Sequence, residues 1–211
     1  MLASPLLLGL FLGVRHAVDA DHVATIASVV VGRTNLSGAL RTALFWGLGH
    51  TLTFFGTGLA IVVFQLQVPA GLELLVDVLI ALSLLALGIF QIVKAAPDAA
   101  PTGQPPHASR PLALGSLHGL AGSAAIALLA LASIRSELQA LLYLALFGVG
   151  TIVGMLAITG LLAWSFQLST SLKGARRGLI LAAGLASCLC GVSILHEIAQ
   201  EQIQPAAAAD G

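Results

Sequence analysis

Apolar runs of twenty or more residues recur along this chain of 211 residues, broken only by short polar or proline-rich punctuation. A hydrocarbon core about 30 Å thick is crossed by about 20 helical residues rising 1.5 Å each. Inside it every backbone polar group must bond within the protein, which leaves only helices or closed barrels. Barrel strands read as short alternating segments, and this sequence has none. Only 9% of residues are charged, against about 25% in soluble domains. The expected class is an all-α integral membrane protein whose main partner is the lipid bilayer. The first apolar run lacks a basic leader and carries charges in mid-course, so it reads as a retained span rather than a signal peptide.

Apolar runs and their punctuation predict six transmembrane helices, over 4–32, 38–65, 71–95, 111–133, 137–166 and 177–200. The first turn, from Gly32 to Gly38, offers Ser37 as a helix cap; the second contains Pro69 and Gly71. The third connection, 96–110, is rich in proline and reads as a cytoplasmic linker. His107 within it reads as a solvated residue. Residues 1–95 and 111–211 then form two three-helix halves, the second ending in an external tail. Six spans put Arg33, Arg41, Lys94, Arg110, Lys173, Arg176 and Arg177 on one side and Arg135 on the other. The positive-inside rule makes the first side cytoplasmic and both termini external, in a bacterial inner membrane. Cys188 and Cys190, two apart on one helix, point to different sides and read as packing residues rather than a disulfide.

The halves match weakly but in order at a spacing of about 102 residues. Gly13-Val14-Arg15-His16 corresponds to Gly115-Ser116-Leu117-His118, with Ala121 to Ala124 opposite Asp19 to His22. Phe45 to His50 corresponds to Leu146 to Thr151, and Leu87-Gly88-Ile89 to Cys190-Gly191-Val192. Three spans per half is an odd number, so the two halves would cross the membrane in opposite senses. That is the inverted-repeat plan of many secondary transporters, whose sites lie near the midplane.

Against this apolar background, Arg15, His16, Asp19, Asp21 and His22 crowd one span. Each charge at the bilayer centre costs roughly 2.5 to 3.5 kcal/mol unless something offsets it. Pairing of Arg15 with Asp19, four apart on a helix, leaves Asp21 and both histidines unexplained. Imidazole and carboxylate together suit a divalent transition-metal ion. A straight helix puts His22 level with His50 of the second span, and His16 about 9 Å further out. At 100° per residue His16, Asp19 and His22 share one arc while Asp21 points away, so either Asp21 stands behind the site or the helix unwinds. His118 is the counterpart of His16. Asp77 and Glu73 lie toward the external interface, and His196 near a helix end.

The run His16-Ala17-Val18-Asp19-Ala20-Asp21-His22 resembles the H-x4-D-H signature of the nickel/cobalt transporter (NiCoT) family, and Leu48-Gly49-His50-Thr51 resembles its second signature. The resemblance implies uptake of Ni2+ or Co2+ as transported substrate, with the positions of His16, Asp21, His22 and His50 required; Asp19 and His118 join them as helpers. Family members typically have eight spans with this motif on the second. Here it is on the first, and the later acidic motif is replaced by Leu114 to Gly122 without a carboxylate. In this the chain is similar to the shorter urease-accessory-type nickel transporters, which implies a link to urease or hydrogenase maturation. The expected function is a secondary importer, with a divalent-metal exporter and an intramembrane metalloenzyme as competing readings. The sequence contains no G-x4-G-K-[ST] motif and no H-E-x-x-H helix. Neither an enzymatic activity, a cofactor nor a nucleic-acid partner is expected.

Overall fold

The structure, a computed structural model, describes residues 3–30, 35–64, 69–95, 108–120, 134, 136–168 and 173–209. Among the described residues there are seven helices and no strand: α1 Ala3–His16, α2 Ala20–Val30, α3 Leu36–Phe64, α4 Ala70–Lys94, α5 Ser109–His118, α6 Glu137–Leu168 and α7 Lys173–Ala209. Four are long and apolar enough to cross a membrane, over Leu36–Ile61, Gly71–Lys94, Glu137–Leu168 and Gly174–Ile203. Large apolar side chains such as Leu52, Phe64, Leu138, Leu168 and Leu189 lie on the outside, as lipid-facing positions should. Small residues gather where helices meet.

The span expected over 4–32 is two helices, α1 and α2, separated at Ala17 to Asp19. Its counterpart, expected over 111–133, stops as a helix at His118, and Gly119 caps it; residues 121–133, including the Ala121 to Ala124 match, lie outside the described residues, as does His107. The other four expected spans coincide with α3, α4, α6 and α7 to within a few residues, apart from the longer C-terminal end of α7. The cap of α3 is Asn35 rather than Ser37: its Oδ1 accepts the Ser37 N–H at 3.0 Å and the Ser37 hydroxyl at 2.8 Å. Ser37 itself stands inside the first turn, where its own N–H is one of the groups needing a partner.

Helices pair across the two halves. α1 lies on α6, α5 on α3, and α4 on α7, with α3 also against α6. Glycine permits each approach. A Cβ on Gly13 would collide with the Phe147 carbonyl, and one on Gly150 with the Leu10 carbonyl. At the α5–α3 contact, Gly115 meets the Trp46 carbonyl and Gly49 the Leu112 carbonyl in the same manner. Between α4 and α7, Gly88 meets the Gly184 carbonyl and Gly191 the Ala81 carbonyl. The Ser187 hydroxyl there donates to the Leu84 carbonyl at 2.8 Å. Cys188 and Cys190 are both free and pack in this region.

Two apolar clusters bracket the middle of the bundle. One gathers Phe54, Ala140, Tyr143, Leu144 and Phe147. The other gathers Ala17, Ile26, Val30, Ala39, Trp46, Met155 and Ala163. His16 lies against Phe147 of the first cluster and His22 against Trp46 of the second.

Candidate metal centre

No glycine or proline between His16 and His22 forces the chain to break, so the interruption has another cause. Val18 and Asp19 donate to the carbonyls three residues back, at 3.0 and 3.1 Å, tightening the last turn of α1. The Asp19 carbonyl then accepts from Val23 at 3.0 Å and starts α2. The Asp19 side chain spans the turn to bond His16 Nδ1 at 2.8 Å. Aspartate competes with helical bonding in this way wherever a nearby donor is available. Gly154 lets α6 press against Ala17 at the break.

Folding the chain back at this turn removes the vertical separation expected of a straight helix. The rings of His16 and His22 have centroids 4.5 Å apart, and His50 lies 5.1 Å from the first and 5.0 Å from the second. All three are buried, and one ring nitrogen from each falls within 4.8 Å of the others. His16 Nε2 and His50 Nε2 are 3.2 Å apart. Two imidazoles on one ion, at metal–nitrogen bonds of about 2.0 to 2.1 Å, hold their nitrogens roughly 2.9 to 3.4 Å apart. The pair already has that spacing.

Both acids of the motif stand behind the imidazoles. Asp19 Oδ2 accepts from His16 Nδ1, and Asp21 Oδ1 accepts from His22 Nδ1 at 3.1 Å. A carboxylate only accepts, so each histidine donates from Nδ1 and presents Nε2 as an acceptor; His16 Nε2 meets His50 Nε2, and His22 Nε2 has no partner. Carboxylates behind metal-binding histidines fix tautomer and orientation in just this manner. Asp19 also lies 3.6 Å from Arg15, whose side chain is 58% exposed. The Arg15–Asp19 pair therefore exists, but Asp19 is shared with His16.

His22 Nε2 and His50 Nδ1 are buried with no hydrogen-bond partner. A buried polar group left unmatched costs about 1 to 3 kcal/mol; coordination of a cation supplies a reason for His22 Nε2, whereas His50 faces His16 with its other nitrogen, Nε2, and its Nδ1 is not accounted for by the same ion. His118 differs. Its Nδ1 donates to the Leu114 carbonyl at 2.9 Å, and its Nε2 lies 3.1 Å from the Thr25 hydroxyl. The ring is 5.9 Å from that of His22, close to the cluster but with both nitrogens engaged.

Aromatic rings enclose the cluster. Phe54 stacks on His50, Phe147 lies 5.4 Å from His16, and Trp46 lies 5.2 Å from His22. Trp46, Phe147 and Thr25 were not legible as site residues. The available signal was periodicity: Trp46 precedes His50 by four and Thr25 follows His22 by three, on the same helix faces. Glu73 and Asp77 stand apart from the histidines, lining a cavity of about 680 Å3 with Asp21, Glu197 and Glu201. His196 is exposed on α7.

Residues 3–95 match the family described as high-affinity nickel-transport protein. The urease accessory protein UreH of Bacillus sp. (strain TB-90) is 29% identical over 93% of this chain and 92% of its own length. No solved structure matches the chain. The chain is thus similar to high-affinity nickel-transport proteins over residues 3–95, and to that urease accessory protein along nearly its whole length.

Proposed function

We propose that the chain imports Ni2+, and Co2+ by the same route, through a site in which His16, His22 and His50 bind the ion. Asp19 and Asp21 orient His16 and His22 from behind, and His118 supports His22 through its neighbouring ring. The observation that carries this reading is the meeting of three buried imidazoles from α1, α2 and α3, with His22 Nε2 left unmatched among them. Nitrogen and oxygen donors without thiolate suit these ions.

In this reading the halves 1–95 and 111–211 are inverted three-helix repeats joined by the linker 96–110, making six spans of a bacterial inner membrane with both termini outside. The like-for-like contacts support it: Gly13 against Phe147 and Thr151 is matched by Gly115 against Trp46 and His50. The likeness to a urease accessory protein supports delivery of the ion toward urease or hydrogenase maturation. Two positive charges moving inward across 100 mV gain roughly 4.6 kcal/mol, enough to drive uptake without ATP.

Uptake of 63Ni2+ into proteoliposomes tests the reading. Wild-type protein accumulates the ion under an inside-negative potential, and His22→Ala and His50→Ala lose that uptake. Accumulation by both variants at the wild-type rate defeats the site. Loss of ion from preloaded vesicles under every potential defeats the direction.

A further inference from the structure

Five of the chain's nine acidic residues line one cavity of about 680 Å3, at the end of the bundle where α4 begins. Glu73 and Asp77 stand four apart on α4, Glu197 and Glu201 four apart on α7, and Asp21 lies in the first turn of α2, which packs against both. Among the described lining residues there is no lysine, arginine or histidine. Like charges four apart disfavour their own helix, so stability does not explain the arrangement. Carboxylates at a membrane edge are ordinarily just solvated; the inner end sets this cavity apart. Its lining runs from Gln202 to Cys190, about 18 Å of α7 at 1.5 Å per residue. Glu73, Glu197 and Glu201 are exposed, Asp77 and Cys190 are half-buried, and the Asp21 side chain is 13% exposed. Asp21 joins the cavity to the metal centre. Its Oδ1 accepts from His22 Nδ1 at 3.1 Å, and the fully buried His22 leaves its other nitrogen unmatched.

We propose that this cavity is the entry vestibule of the transport path, in which a hydrated divalent cation collects among Glu73, Asp77, Glu197 and Glu201 and reaches the histidines past Asp21. A cleft lined by one sign of charge between low-dielectric walls focuses the field and raises counter-ion concentration and on-rate by about 10- to 1,000-fold. Among the described residues the outer acids do not converge on a point as His16, His22 and His50 do. That suits collection rather than storage, since an ion gripped at the mouth would not move on. The vestibule rests on the transport reading and on the outward placement of this end of the bundle, and it names the route in.

Cys190 lines the same cavity and supplies the test, because Cys188→Ser leaves it as the single thiol of the full-length chain. Membrane-impermeant methanethiosulfonates, one carrying trimethylammonium and one sulfonate, are added to right-side-out vesicles, and 63Ni2+ uptake at subsaturating ion is measured before and after. The proposal expects Cys190 to react from outside, with a cation-to-anion rate ratio at least about tenfold above that for 2-mercaptoethanol. Glu197→Gln with Glu201→Gln, and separately raised salt, shrink that ratio, because exposed charges are screened. The cationic adduct slows uptake at least about fivefold, whereas Cys190→Ser protein is insensitive to the reagent. The paired glutamine variant slows subsaturating uptake about tenfold at low salt, the lower end of electrostatic focusing. No reaction from outside, a charge ratio equal to that of the free thiol, or unchanged uptake by the modified protein overturns the vestibule. Absence of uptake by the wild type defeats the transport reading and the vestibule with it, whereas those three outcomes, beside normal wild-type uptake, defeat the vestibule alone.

Discussion

The break after α1 and the end of α5 are built alike and equipped differently. Each short helix stops at a histidine, His16 or His118, and each presses a glycine, Gly13 or Gly115, onto the backbone of a long helix from the other half. Beyond the first lie Asp19, Asp21 and His22; the second is followed by Gly119 and Leu120. His16 keeps one nitrogen toward the cluster, while His118 has both engaged by Leu114 and Thr25. The lesson is that backbone contact and chemistry are separable. Glycines set how closely the helices approach, and acids present in one half alone hold His16 and His22 by their Nδ1 atoms.

Breaking the contact itself gives the largest effect. Gly13→Ala and Gly115→Ala each drive a methyl into a carbonyl that cannot move without its helix. Both are expected to lower stability by about 3 kcal/mol or more, the upper range of overpacking costs. Thermal unfolding in detergent checks this; a Gly115→Ala protein as stable as wild type means that α5 does not lean on α3 as α1 does on α6.

Next comes the chemistry. His22→Ala is expected to weaken Ni2+ binding more than about 100-fold, since a direct ligand exceeds the 10- to 100-fold of its supporting groups. His118→Ala should cost about tenfold or less, its nitrogens being already occupied. Isothermal titration separates the two; equal losses would make His118 a ligand and the halves chemically alike. A third step is Asp19→Asn and Asp21→Asn, each expected to cost about 10- to 100-fold in affinity by loosening the imidazole in front of it. Full binding in both would show that the acids merely fill space.

The smallest effect is a control. Gly38 and Gly56 lie in α3 with nothing within 4 Å of an added Cβ. Alanine there should be neutral or stabilise by up to about 1 kcal/mol through helix propensity. Destabilisation by melting would mean that glycines outside the crossing points carry packing too.

Four of the expected spans, the glycines at the helix crossings and the histidines of the motif were legible because each leaves a one-dimensional trace: apolar length, a small-residue spacing, or an imidazole where lipid should exclude it. The break at Ala17 to Asp19 was legible only as one of two alternatives. It follows from a carboxylate reaching back to His16 and from α6 closing on Ala17, and neither shows in a run free of glycine and proline. The division of labour was left open in the same way: Asp21 behind the site and an unwound helix stood as alternatives, and the structure has both. On a straight helix Asp21 points away from Asp19, yet each acid ends behind its own histidine once the chain turns. Asn35 rather than Ser37 caps α3 because the cap is decided by where the first turn starts, a matter of one or two residues.

Nickel K-edge X-ray absorption of the loaded, purified protein tests the central claim most directly. The account predicts imidazole scattering from three histidines in the wild type and from one fewer in His50→Ala. A spectrum without histidine scattering, or one unchanged in His50→Ala, would contradict it.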